Sequence, residues 1–325
     1  MMDASLIKRG LFPATLVSYV ILCTTSLAIP MNEPILPLPN VAEMRLDARK
    51  IKLGASLFND LRLSKNDTIS CASCHNLSMG GADGRKFPVG VDGQINTINA
   101  PTVFNAATNT YQFWDGRANT LEEQINDHVN DPIVMGSKWP EIIAKLSKDK
   151  SLSDNFKSVY PDGINAAHAT EAIATYERSL LTPSRFDRYL KGETGAISAE
   201  ELAGYKKFKD YGCIGCHQGV NVGGNMFQQL GVMRDYFTQR GNPTKADLGR
   251  YNVTKLEEDK HVFKVPSLRN ITITAPYLHD GTMMSLNDAV GLMFKYQLGR
   301  RGSEADKALI IKFLNTLTGE QLLTK

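Results

Sequence analysis

Two Cys-x-x-Cys-His motifs, Cys71-Ala-Ser-Cys74-His75 and Cys213-Ile-Gly-Cys216-His217, constrain this 325-residue chain more than any other feature. One short helical turn with that spacing presents two thiols and an imidazole together. The thiols can add across the vinyl groups of a haem while the histidine bonds the iron. The competing use of four cysteines is one zinc site made from both Cys-x-x-Cys pairs. It would leave both trailing histidines without a task. The motifs therefore predict two covalently bound haem c groups, attached at Cys71, Cys74, Cys213 and Cys216, with His75 and His217 as proximal iron ligands.

The N-terminus agrees with such a cofactor. Lys8 and Arg9 precede an apolar stretch from Leu11 to Ala28, and Ser26-Leu27-Ala28 offers small residues where a signal peptidase reads. The stretch is short for a membrane anchor and polar at its end. We expect a secretory signal over residues 1–28 and export to the periplasm. Cys23, one of five cysteines, leaves with it, so none remains for a structural disulfide. A net charge of +3 without a long Lys/Arg cluster speaks against a nucleic-acid partner.

Helical periodicity dominates the rest, so the expected fold is mainly all-α, two c-type cytochrome domains with long loops. Residues 29–45, with Pro30, Pro34, Pro37 and Pro39, read as an extended arm. Pro183 and Gly192–Gly195 mark a crossing, which divides the chain into an N-terminal haem domain, 29–182, and a C-terminal one, 183–325. Ser198-Ala-Glu-Glu201 resembles a capping box ahead of Leu202, Tyr205 and Phe208. Ser285 and Ser303 open similar segments. Leu57-Phe58 before the first motif echoes Tyr205 and Phe208 before the second, as two copies of a mono-haem unit would.

The sixth iron ligands decide function, and spacing alone does not choose them. His128, His168, His261 and His279 are the remaining histidines; Met226, Met233, Met283, Met284 and Met293 are candidates at the second haem.

Ordered blocks along nearly the whole exported chain carry a resemblance. They include Leu57-Phe58-Asn-Asp60, Asn99-Ala-Pro-Thr102, Gln112-Phe-Trp-Asp-Gly-Arg117, Leu121-Glu-Glu-Gln124, Pro266-Ser-Leu-Arg-Asn270 and Ala275-Pro-Tyr-Leu-His-Asp-Gly281. The chain is similar to the bacterial di-haem cytochrome c peroxidases, whose relatives include the MauG oxidases. The resemblance implies reduction of hydrogen peroxide to water at the N-terminal haem. Electrons from a small cytochrome c or cupredoxin would enter at the C-terminal one. It makes Met293 the sixth ligand of the second haem and Trp114 a relay between the haems. Asn99, Thr274 and Pro276 fall where a calcium ion is held, and Gln124 and His279 where the peroxide pocket lies. Many relatives are dimers, so a homodimer is an expectation too.

Two departures matter. The usual distal histidine falls at Val91 and the distal glutamate at Val134. Asp92, Gln124 or a water could handle the proton instead, although Asp92-Gly93 is equally a turn signal. Two other readings therefore stand beside the peroxidase. One is a non-catalytic di-haem electron carrier or ligand sensor. The other is a MauG-like oxidase acting on a partner protein, against which Met293 speaks because those enzymes place a tyrosine there.

Overall fold

The structure, a computed structural model, describes residues 33–323; the expected signal segment lies outside the described residues. The fold is mainly α-helical, as expected. Ahead of the first haem motif the Ala48–Phe58 helix packs on Ala166–Ser179; ahead of the second, Ala199–Asp210 packs on Glu304–Asn315. At each contact a glycine lets one backbone touch the other. A Cβ on Gly54 would come 1.9 Å from the Ala172 carbonyl oxygen, and one on Gly204 would come 1.9 Å from that of Leu309. Phe58 and Phe208 follow these glycines by four residues, one helical turn, and both are buried. The internal echo is thus a Gly-x-x-x-Phe repeat, whose glycine the apolar pattern did not reveal.

Helix starts follow local chemistry. Ser198 and Glu201 form the expected capping box, with Glu201 N–H donating to Ser198 Oγ at 3.2 Å and Ser198 N–H to Glu201 Oε2 at 2.8 Å. Ser303 caps its helix through Asp306 N–H at 3.0 Å.

One apolar cluster draws on residues from Leu53 to Ala174, and a second on Phe186 to Leu317. Between them Thr182 is buried in a polar pin. Asn105 Nδ2 and Asn270 Nδ2 both donate to its Oγ1, at 2.8 and 2.9 Å, tying the two halves together. The arm packs with the second cluster through Ile35, and Leu38 N–H donates to Asp187 Oδ1 at 2.8 Å. Gly219 N–H also donates to the Pro34 carbonyl at 2.8 Å. Its extended backbone has free hydrogen-bonding groups, and the loop after the second motif meets them.

The helical expectation omitted one element. Strands Phe227–Gln229 and Val262–Lys264 pair antiparallel, Gln228 opposite Phe263. Lys264 N–H then donates to the Trp114 carbonyl at 2.8 Å, which sets this ribbon beside the tryptophan.

Candidate di-haem site

Both haem motifs fold into the same tight turn. His75 N–H donates to Cys71 O at 2.9 Å, and His217 N–H to Cys213 O at 2.9 Å. Each turn brings two thiols and an imidazole to a common face. Nδ1 of His75 meets the Gly81 carbonyl at 3.3 Å, and Nδ1 of His217 meets that of Val222 at 3.4 Å. A proton held on Nδ1 by a carbonyl leaves Nε2 as the free ligand atom. Burial pushes His75 down and His217 down to about 4, so both rings are neutral, as an iron ligand must be. Among the described residues no three of the motif cysteines come close enough to share a metal ion. The turns fit two haems and do not fit the zinc alternative.

A continuous cavity of about 750 Å³ runs past both motifs. Cys71, Cys74, His75, Cys213, Cys216 and His217 line it, and Trp114 lines it between them in the chain. The indole N–H donates to the Asn99 carbonyl at 3.0 Å, which fixes the ring. Of the five methionines left open at the second haem, Met293 alone reaches the cavity. Lys264 also lines it, buried and, among the described residues, without a counter-ion; burial pushes its ammonium down to about 8. A buried cation facing a haem-sized space is what propionate carboxylates require.

His279 is buried against Trp114 and stacks on Phe263 at 4.3 Å between ring centroids. Its Nε2 lies 2.7 Å from Asp247 Oδ1. Arg240 spans Asp247 and Asp280, at 2.6 Å each. Burial works against the Asp247 charge, but hydrogen bonds from Arg240, the Thr244 backbone and His279 outweigh it and hold the carboxyl well below its usual range. Arg240 supplies the positive charge of this cluster, so it is an ion-pair network behind the tryptophan. His279 also lines the cavity, as Gln124 does, and its side-chain hydrogen bond is with Asp247 of that network. Asn99, Thr274 and Pro276 all line the cavity. The Asn99 amide nitrogen is held by the Arg85 carbonyl at 2.9 Å, leaving its side-chain oxygen free to serve a hard cation.

At the first haem position the two departures meet. Val91 N–H donates to the Val134 carbonyl at 2.9 Å, latching the loop at Gly90 onto the turn that begins at Asp131. A Cβ on Gly90 would come 1.9 Å from the Ile133 carbonyl, so only glycine permits the latch. Val134 lines the cavity, whereas Val91 is buried away from it. Asp92 is excluded as a proton handler. Its exposed carboxylate accepts from Asn66 Nδ2 at 2.9 Å, outside the cavity. Gln124 lines the cavity, as expected.

Sequence reasoning missed Glu177, a buried carboxyl that lines the cavity near Cys71. Burial pushes it up to about 8, from an ordinary 4.5. Because the folded-state value is raised, its contribution to stability is complete below about 4.5 and is lost as pH rises through about 8. Wild-type protein is expected to lose up to about 5 kcal/mol over that window. Glu177→Gln should flatten the dependence, as thermal unfolding across pH would show; parallel curves for the two proteins would refute this.

A profile of the di-haem cytochrome c peroxidases matches residues 48–195. The cytochrome c551 peroxidase of Nitrosomonas europaea is 44% identical over 292 residues, covering 89% of this chain and 85% of that one. The chain belongs to the di-haem cytochrome c peroxidase family. It is therefore an oxidoreductase with haem c cofactors. Cytochrome c peroxidase Ccp of Escherichia coli K12 is 48% identical over 89% of this chain, which spans 62% of that longer relative. MauG of Methylorubrum extorquens matches less closely, 31% identical over 85% of this chain and 80% of its own. Among solved structures, a MauG-like protein associated with microbial copper homeostasis superposes with a TM-score of 0.75. It is 28% identical, covering 91% of this chain and 96% of the other. Among the described residues no helix is long and apolar enough to cross a membrane.

Proposed function

We propose that this chain is a periplasmic di-haem cytochrome c peroxidase, reducing hydrogen peroxide to water with electrons from a small cytochrome c or cupredoxin. The observation that carries this reading is the one cavity that joins both haem motifs past Trp114, with Met293 the single candidate methionine reaching it. The haems, when bound, supply iron that accepts and passes single electrons, at a potential set by the axial ligands. His217 and Met293 would hold the electron-entry iron, and His75 the peroxidatic one. Trp114 relays between them, kept in place by Asn99 and by the His279–Asp247–Arg240 network. Lys264 neutralises haem carboxylates beside the relay. Oxygens of Asn99, Thr274 and Pro276 hold one calcium ion. The first haem lies in residues up to 182, the second beyond 183, with the arm from Glu33 to Leu38 docked on the second.

Steady-state oxidation of reduced cytochrome c by hydrogen peroxide tests the reading. Turnover that scales with enzyme and saturates in donor is expected. Two loaded, reducible haems with no donor oxidation above background would instead favour a non-catalytic carrier or sensor. The specific observation on that side is the apolar Val134 lining the first site.

A further inference from the structure

We propose that His128 is the proton-handling residue of the peroxide pocket, in the place Val134 leaves without an ionisable group. The inference rests on the peroxidase reading and adds a residue to it. His128 lies in the Leu121–Asn130 helix, one turn after Gln124, so both fall on the same face and both line the cavity. Among the described residues no hydrogen bond reaches either ring nitrogen of His128, and its Nδ1 is fully buried without a partner. Such an orphaned polar atom is costly in a folded chain and calls for an explanation. The other histidines outside the two motifs are all engaged. His168 Nδ1 meets the Gly163 carbonyl at 2.8 Å, His261 Nδ1 that of Asp247 at 2.7 Å, and His279 is held by Asp247.

The ring is also held in position. It meets the edge of Phe113 at 5.2 Å between centroids, and the Arg117 guanidinium lies over Phe113 at 3.4 Å. Burial above all pushes His128 down to about 3, so the imidazole is neutral at working pH. In the step assigned to it, His128 takes the proton from the peroxide oxygen nearer the iron and passes it to the outer oxygen. The O–O bond breaks and the outer oxygen leaves as water. The remaining oxygen becomes water with two electrons from the reduced donor protein and two protons from solvent. His128 ends unchanged.

The test uses the loaded enzyme and two readouts. His128→Leu is expected to slow the bimolecular reaction with peroxide by about 10²–10⁴-fold. It should also slow cyanide binding at least about tenfold, since hydrogen cyanide must lose a proton to bind as the anion. The ferric spectrum should keep a high-spin first haem in both proteins. Val134→Glu added to His128→Leu should recover peroxide reactivity by returning a carboxylate to the same pocket. His128→Gln, closer in shape, covers the case in which leucine disturbs the helix, and is expected to be as slow as His128→Leu. Peroxide and cyanide rates within about twofold of wild type in a folded variant overturn the proposal. So does a low-spin wild-type haem that becomes high-spin on His128→Leu, because His128 would then be an iron ligand. Absence of donor turnover in wild type would strike the peroxidase reading, while the cyanide rates would still judge His128 on their own.

Discussion

Replacing Met293 by alanine is expected to abolish the methionine–iron charge-transfer band of the second haem, lower its reduction potential, and stop turnover with the protein donor. Met293 opens a π-helical turn, Met293–Gln297, directly after the Leu286–Leu292 helix. Such wide turns are frequent at functional sites, where one extra residue re-aims a side chain. Here Met293 lines the cavity, while Met283 packs in the same apolar cluster beside Trp114 without reaching it. A thioether stabilises ferrous iron, so its loss removes what makes this haem the better electron acceptor of the two. Cyanide binding at the first haem should be unchanged, which separates loss of electron entry from a general collapse. Met283→Ala is the control and should keep both band and potential. A band that survives Met293→Ala and disappears with Met283→Ala would reverse the assignment. Optical redox titration of the three proteins reads all of this directly.

The attachment chemistry was open to a reader of the sequence because it is local. Five consecutive residues supply two thiols and an imidazole, and the turn that gathers them closes within itself, from His75 N–H to Cys71 O. The serine caps at Ser198 and Ser303 were legible for the same reason. What escaped depends on contacts between distant segments. The arm from Glu33 to Leu38 carries no apolar periodicity that points to either half. Its backbone bond to Gly219, the bond from Leu38 to Asp187 and the burial of Ile35 show where it belongs. Gly54 looks like a poor helix residue until the Ala172 carbonyl is found against it. Asp92 and His128 mark the same limit at the site. Asp92 sits on the loop that resemblance made important, yet its carboxylate points to Asn66. His128 was one of four leftover histidines until three were found with partners and one without.

The largest effect on stability is expected at Arg269, one of the residues that carry the resemblance. Its side chain is 0% exposed and that of its partner Asp187 is 2% exposed. Both Nη atoms reach the carboxylate at 2.9 Å, and Nε donates to the Val220 carbonyl at 2.7 Å. The same Asp187 accepts from Leu38 N–H and from Ser184, so one ion pair fastens the arm, the second haem loop and the crossing between halves. Arg269→Met would leave that carboxylate buried and unpaired, a change that typically costs about 3–5 kcal/mol. The pH dependence identifies the cause. In wild type, burial acts to raise Asp187, but Arg269 outweighs it and holds the carboxyl below its ordinary 3.8. The stability it contributes is therefore present at neutral pH and lost only as pH falls through that depressed value. Without Arg269 only the hydrogen bonds from Leu38 and Ser184 oppose burial, so the carboxyl takes up a proton more readily. The gap between wild type and Arg269→Met should then narrow from pH 7 to pH 5. Replacing both partners, Arg269→Met with Asp187→Leu, should recover much of the loss, because no lone charge is left inside. Denaturant unfolding of the loaded protein, followed through the haem spectrum, measures each variant at both pH values. A cost under about 1 kcal/mol for Arg269→Met, or a gap that widens toward pH 5, would show that the pair does not anchor the arm as described.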